Sequence, residues 1–156
     1  MKTVYKVLRK RESQLWSFNH TIQPGAEAVE LFDRRLYILD EPTYPEFGFL
    51  YAFHTFEQAK KFVLDYSIDI SQDTVIYKSV ASTSKKKPLV VLMANTDSKR
   101  LWWKGYLKSS KINRDYRQFI FTPPVGTVLC HNITVQEQVF SYREYLDDLK
   151  AKRSLS

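Results

Sequence analysis

The stretch that decides the fold is "FGFLYAFHTFEQAKKFVLDYS", residues 47–67, because it contains a strand and a helix in direct succession. Its first part, Phe49 to Phe53, is continuously apolar, which is typical of a buried strand. Thr55 is followed three residues later by Gln58, the spacing of a capping box in which both side chains satisfy backbone N–H groups at a helix start. Apolar side chains then recur at helical spacing. We therefore predict a helix over about residues 55–67 that packs on a sheet.

Short alternating runs before this stretch predict further strands. They are "TVYKVLRK" (3–10), "LWSF" (15–18), "AVELF" (28–32) and "RLYIL" (35–39). In the first run Val4, Lys6 and Leu8 share one face, and the opposite face, with Tyr5 and Val7, is the more apolar. The segment "DEPTYPEFG", residues 40–48, predicts a loop because its prolines interrupt any ladder of hydrogen bonds.

The second half of the chain has the same character and ends in a helix. Strands are predicted in "DTVIYKSVAS" (73–82), "PLVVLMA" (88–94), "LWWKGYLKS" (101–109) and "QFIFTPPVGTVLCHNITV" (118–135). The run 88–94 is apolar enough for a central strand covered on both faces. Ser141 and Glu144 form a second capping box, which predicts a C-terminal helix over about 141–152. We expect one α+β domain, residues 1–156, with a largely antiparallel sheet.

Charge is distributed unevenly along the chain, whose formal net charge is +7. Residues 85–117 contain ten Lys or Arg against two acids, whereas residues 27–57 contain seven acids and two arginines. If residues 101–108 are extended, Trp102, Lys104, Tyr106 and Lys108 share one face, an arrangement that suits phosphates and stacked bases or an acidic protein surface. The predicted binding residues are Lys99, Arg100, Trp102, Lys104, Tyr106, Lys108, Lys111, Arg114 and Arg117. The simpler alternative is a half-buried strand with a solvated basic face.

The sequence contains few residues that could carry catalysis. Cys130 is the only cysteine, which excludes an internal disulfide and leaves no zinc-site pattern, and it points away from His131 if both lie on one strand. We predict no catalytic residues, no metal and no cofactor, since Gly-rich phosphate loops and hydrolase motifs are absent from the sequence. Charges near the start and the lack of a long apolar run predict a soluble intracellular protein that does not contact a membrane.

Three stretches together resemble a loosely defined group of short uncharacterised domains from phages and large DNA viruses. They are "YKVLRK" (5–10), "FLYAFHTFEQAKKF" (49–62) and "PPVGTVLC" (123–130). Members of that group typically begin with a Tyr-Lys-Val-like strand, continue with a Phe-x-Thr-x-Glu-x-Ala helix start, and have a Pro-Gly-Thr turn near the end. The resemblance implies a viral protein, located in the host cytoplasm or the virion, and it supplies no catalytic residues.

Three functional hypotheses follow. The first is a non-enzymatic interaction module, a viral structural or accessory protein that docks on an acidic protein surface or larger assembly through the basic and aromatic face, with Trp102 and Tyr106 as anchors. The second is binding of DNA or RNA by the same face. The third is a small transferase or hydrolase that uses His54 and Glu57 at the strand–helix junction.

Overall fold

A computed structural model describes residues 1–17, 35–46, 48–65, 72–88, 90–91, 120–121 and 123–155. The strands in these ranges are β1 (Lys2–Arg11), β2 (Gln14–Ser17), β3 (Leu36–Tyr37), β4 (Pro42–Thr43), β5 (Leu50–Phe53), β6 (Thr74–Thr83), β7 (Val90–Val91), β8 (Ile120–Phe121) and β9 (Thr127–Ser141). The helices are α1 (Phe56–Asp65) and α2 (Tyr142–Ser154). All strand pairs in the described ranges are antiparallel, so the fold is α+β as predicted.

Both helices begin at the predicted capping residues. The Thr55 hydroxyl accepts a hydrogen bond from Gln58 N at 3.2 Å, and the Ser141 hydroxyl accepts one from Glu144 N at 3.4 Å. These bonds satisfy backbone donors that have no partner inside the helix. The Gln58 carboxamide lies against Gly126, and its buried Oε1 has no hydrogen-bond partner in the described part of the chain. The side-chain half of that capping box is therefore used for packing instead.

Four strands of the large sheet pair in a closed cycle. β6 lies between β1 and β9, and β5 joins the same two strands on their other edges, with Tyr5 opposite Phe53 and Leu50 opposite Cys130. β2 and β3 extend the sheet from β1, and β4 extends it from β9. The result is a small barrel that β5 closes near one end. β3 and β4 are the outermost strands at the two margins of the sheet.

The closed cycle creates two apolar cores because successive strand residues point to opposite faces. The inner core fills the barrel and includes Val4, Leu8, Leu15, Tyr37, Leu50, Val75, Tyr77, Cys130, Ile133 and Val135. The outer core lies under the two helices and includes Val7, Phe53, Ala59, Phe62, Val63, Ile76 and Tyr142. Both faces of β1 are thus covered, and the face that carries Lys6 is the one inside the barrel.

One sequence prediction needs correction and another is only partly described. Residues 40–48 were predicted as a loop, but Pro42 and Thr43 pair with Thr134 and Ile133 of β9. A proline is compatible with this place because it begins a short strand whose other edge has no ladder among the described residues. For the run 88–94 we predict a central strand, but only residues 88, 90 and 91 of it are described. Val90–Val91 pair with Ile120–Phe121 in a ladder separate from the large sheet, and the rest of the prediction lies outside the described residues. An apolar run indicates burial but does not specify a position within a sheet.

Candidate functional site

The nine residues predicted to form a basic binding face lie outside the described residues. So does the whole segment 101–108, whose extended conformation the prediction requires, and so does the predicted strand at 28–32. The basic and aromatic face therefore stays a prediction from sequence. A candidate surface among the described residues lies elsewhere on the chain.

The strand–helix junction places His54 and Glu57 on the surface. His54 is exposed, and its backbone N–H donates to the carbonyl of Gly126 at 2.9 Å. Glu57 is exposed in the first turn of α1, where the positive end of the helix dipole stabilises a carboxylate. Both positions thus have a structural explanation, in the β5–α1 connection and at the helix start.

Cys130 and His131 point to opposite faces of β9, as predicted. Cys130 is fully buried in the inner core, whereas His131 is exposed with its ring centroid 5.2 Å from that of Phe49. Burial raises the pKa of the Cys130 thiol to about 11, although the Lys6 ammonium acts in the opposite direction. A thiol that stays protonated and enclosed is a poor nucleophile.

This burial predicts the reactivity of the thiol. In the native protein at pH 8, we expect Cys130 to react with a disulfide reagent such as Ellman's at a rate limited by opening of the barrel, because both enclosure and protonation protect it. In denaturant the same thiol should react at the rate of a free cysteine. Time-resolved absorbance measures both rates. Equal rates in the two conditions would contradict the burial of Cys130.

Lys6 is a charged side chain that is buried inside the barrel, and the sequence predicted no special role for it. It is 6 % exposed, and its Nζ donates to the carbonyl oxygen of Tyr51 at 2.5 Å. The same nitrogen lies 5.5 Å from the centroid of the Tyr37 ring, a distance suited to a cation–π contact. Burial lowers the pKa of Lys6 to about 8.

The side chains around Lys6 indicate that its ammonium group has a structural role. Tyr37 is 3 % exposed, and burial raises the pKa of its hydroxyl well above the ordinary value. That hydroxyl lies near Ser17 yet has no well-formed hydrogen bond within the described ranges. The Ser17 hydroxyl is already engaged, since it accepts from Arg35 N at 2.9 Å and donates to Arg35 O at 3.3 Å. Lys6 lies between Val4 and Leu8, which are both fully buried on the same strand face.

An open groove with a volume of about 310 Å³ lies where β3 and β4 approach each other, and we call it the β3–β4 groove. It is lined by Arg35, Leu36, Ile38, Glu41, Pro42, Thr43 and Tyr44. β3 pairs with β2 and β4 pairs with β9, so the described strands form no ladder across the groove. The intervening turn is held on the barrel by Asp40 N, which donates to Val135 O at 2.9 Å, and it is closed by Glu41 N, which donates to Ile38 O at 3.1 Å.

Large apolar side chains are exposed at and beside this groove. Strand alternation directs Tyr37 into the barrel and leaves Leu36 and Ile38 outside. Ile38 is 52 % exposed and Tyr44 is 60 % exposed, and Leu39 is half exposed in the turn. Trp16 of β2, which is half-buried, lies directly opposite Leu36 and extends the apolar area. A sequence signal for this surface existed in "RLYIL", which is apolar on both faces although it lies at a sheet margin.

Carboxylates border the groove. Glu41 lines it, exposed Asp40 precedes Glu41 in the same turn, and exposed Glu46 contacts Arg35, the one described cation among the lining residues. The Arg35 guanidinium pairs with Glu46 at 3.4 Å. Asp40 and Glu41 have no ion-pair partner within the described ranges, so the described charged side chains around the groove, which we call its rim, have a net negative charge. This charge opposes the sign of the whole chain.

The described part of the chain contains no group of three or more His, Cys, Asp and Glu side chains placed to hold a metal ion. None of the described helices is long and apolar enough to cross a bilayer. Comparisons with protein-family models, with curated proteins and with solved structures found no match.

Proposed function

We propose that this protein is a non-enzymatic interaction module that docks on a larger protein partner through the β3–β4 groove. The observation that carries the proposal is the group of exposed apolar side chains that line this groove, Leu36, Ile38 and Tyr44, with exposed Leu39 in the adjoining turn. Contiguous exposed apolar area is typical of interaction sites, whereas single exposed apolar residues are ordinary. In line with the resemblance of the sequence, we propose a viral structural or accessory role.

The backbone of the groove supports this proposal because it is held in place before any partner binds. The turn that carries Leu39 is hydrogen-bonded to β9, and β3 is paired to β2. A preformed surface loses less conformational entropy on binding than a flexible one. Aromatic anchors dominate interface energetics; Tyr44 supplies one in the groove, and half-buried Trp16 lies beside it, opposite Leu36.

The proposal is tested by replacing one groove residue. Ile38→Asp should abolish recovery of the native partner in a pull-down from the source cells, because a carboxylate would have to be desolvated in the interface. Ile38 is half exposed, so the variant should retain the fold, and circular dichroism checks this.

Val125→Asp is the matched control. Val125 is 85 % exposed in the turn before β9, roughly 20 Å along that strand from the groove at 3.4 Å per residue. Partner recovery should be unchanged in this variant. A partner that is recovered equally with wild type and Ile38→Asp removes the groove from the proposal.

A second candidate function, binding of DNA or RNA, is favoured by the charge of +8 over residues 85–117, which follows from ten basic and two acidic residues. It predicts that affinity for a nucleic acid falls steeply with salt, since each neutralised phosphate releases counterions. Trp102→Ala should weaken binding further by removing a stacking ring. Fluorescence anisotropy with a labelled single strand measures both effects. No binding at low salt would exclude this function.

A further inference from the structure

We infer that the β3–β4 groove binds a cationic, apolar peptide segment of its partner. The inference rests on the proposed function and adds the chemistry of the bound segment. Two features carry it. Glu41 lines the groove beside exposed Asp40 of the same turn. The exposed ring of Tyr44 also lines the groove, and half-buried Trp16 lies next to it, opposite Leu36.

The rim selects for positive charge. Glu41 lines the groove and Asp40 precedes it in the same turn, and neither carboxylate has an ion-pair partner in the described ranges. Arg35, the one cation among the described lining residues, is already paired with Glu46 at 3.4 Å. An acidic segment or a phosphate would therefore face two unpaired carboxylates, whereas a lysine or arginine would complement them.

The aromatic side chains also favour a ligand with positive charge. Tyr44 is 60 % exposed at the groove, so its ring face is accessible to a ligand. Trp16 is half-buried beside Leu36, with part of its ring uncovered. Ammonium and guanidinium groups bind over the faces of such rings, and aliphatic stems of lysine and arginine pack on apolar surface.

The size of the groove indicates what it can hold. Its volume of about 310 Å³ is at the lower limit of sites that enclose a small ligand, about 300 to 1,000 Å³. A few side chains of an extended segment fit such a volume, and the rest of the partner would lie on the surrounding surface. Alternating apolar and basic side chains would place the apolar ones against Ile38 and Leu36 and the basic ones at the rim.

The net charge of the chain makes the inference easy to test. With a formal charge of +7, the protein as a whole repels cationic peptides and attracts anionic ones. Screening at physiological salt limits such effects to about 8 Å, so selective binding of a cationic peptide must come from local carboxylates. Non-specific attraction would produce the opposite preference.

The probe is a short labelled synthetic peptide in which lysine and leucine alternate, compared with a peptide that has glutamate in place of lysine. Fluorescence anisotropy at physiological salt should detect binding of the lysine peptide to the full chain. Glu41→Lys should weaken that binding about tenfold, because it replaces an attraction by a repulsion at the rim. Glu137→Lys changes the net charge equally at an exposed position on β9 and should alter binding less than about twofold.

Several results would overturn the inference. They are equal weakening by both charge reversals, preference for the glutamate peptide, or no binding of the lysine peptide. The native partner separates this failure from failure of the proposed function. A partner lost with Ile38→Asp but retained with Glu41→Lys overturns the cationic segment and leaves the groove as the docking site. A partner unaffected by Ile38→Asp removes the groove itself.

Discussion

Replacing Lys6 by methionine is expected to raise the free energy of unfolding by about 2 kcal/mol at pH 7, although it removes a hydrogen bond. Lys6 is 6 % exposed inside the barrel, and its pKa of about 8 lies below the ordinary value of 10.5. That difference corresponds to about 3 kcal/mol by which burial disfavours the protonated amine. Methionine has a similar length and carries no charge, so the gain exceeds the loss of the bond to Tyr51 O.

The stability gained by Lys6→Met should depend on pH, and the direction of this dependence follows from the lowered pKa of Lys6. Below about pH 8 the amine is protonated in both the folded and the unfolded chain, and the full cost of burying the charge is present. Between about pH 8 and 10.5 the unfolded state binds more protons than the folded state, so the wild-type stability contributed by Lys6 rises with pH. Lys6→Met should therefore lose most of its advantage across this window.

Denaturant unfolding of both proteins at pH 7 and near pH 10 measures this effect. Cys130 and Tyr37 also have raised pKa values, but they are present in both proteins, and their contributions largely cancel in the difference. Lys78→Met is the matched control because Lys78 is exposed on β6 opposite Tyr5, and it should change stability by less than about 0.5 kcal/mol. A Lys6→Met protein less stable than wild type at pH 7 would show that the Tyr51 and Tyr37 contacts outweigh the cost of burial.

Gly126→Ala is expected to lower the free energy of unfolding by about 2 kcal/mol. Gly126 has φ +88, a left-handed conformation that residues with a Cβ rarely adopt. The turn cannot easily change, because Gly126 O accepts from His54 N and Pro124 O accepts from both Thr127 N and the Thr127 hydroxyl. A Cβ at this position would lie 2.2 Å from Cδ and Oε1 of Gln58, so that side chain must also move.

A double-mutant cycle separates the two causes. In a Gln58→Ala background the contact with the carboxamide is gone, and Gly126→Ala should still cost about 1 to 2 kcal/mol from the backbone conformation alone. Val125→Ala, in the same turn but 85 % exposed, should be close to neutral. Thermal or denaturant unfolding of these variants measures each difference. A Gly126→Ala protein as stable as wild type would mean that the turn adopts another conformation.

Local patterns in the sequence determined the elements and their class. Thr55 with Gln58 and Ser141 with Glu144 marked the helix starts, because capping depends on side chains within one turn of the chain. Alternation and apolar content similarly marked β1 and β6 to within about one residue at each end, whereas β9 continues from the predicted end at Val135 to Ser141. Cys130 and His131 are adjacent on one strand, so their side chains point to opposite faces. The sequence alone therefore excluded a nucleophile–base pair between them.

The tertiary structure alone decided which face of each strand is inside and which surface stays open. The face of β1 with Lys6 is less apolar than the face with Tyr5 and Val7, yet closure of the barrel through β5 buries it. The β3–β4 groove likewise depends on the absence of a ladder between two short strands that each pair with a different neighbour. Such pairings join residues far apart in the chain, so no local sequence pattern specifies them. The entropic cost of closing the barrel and the free energy gained by burial depend on the whole sheet.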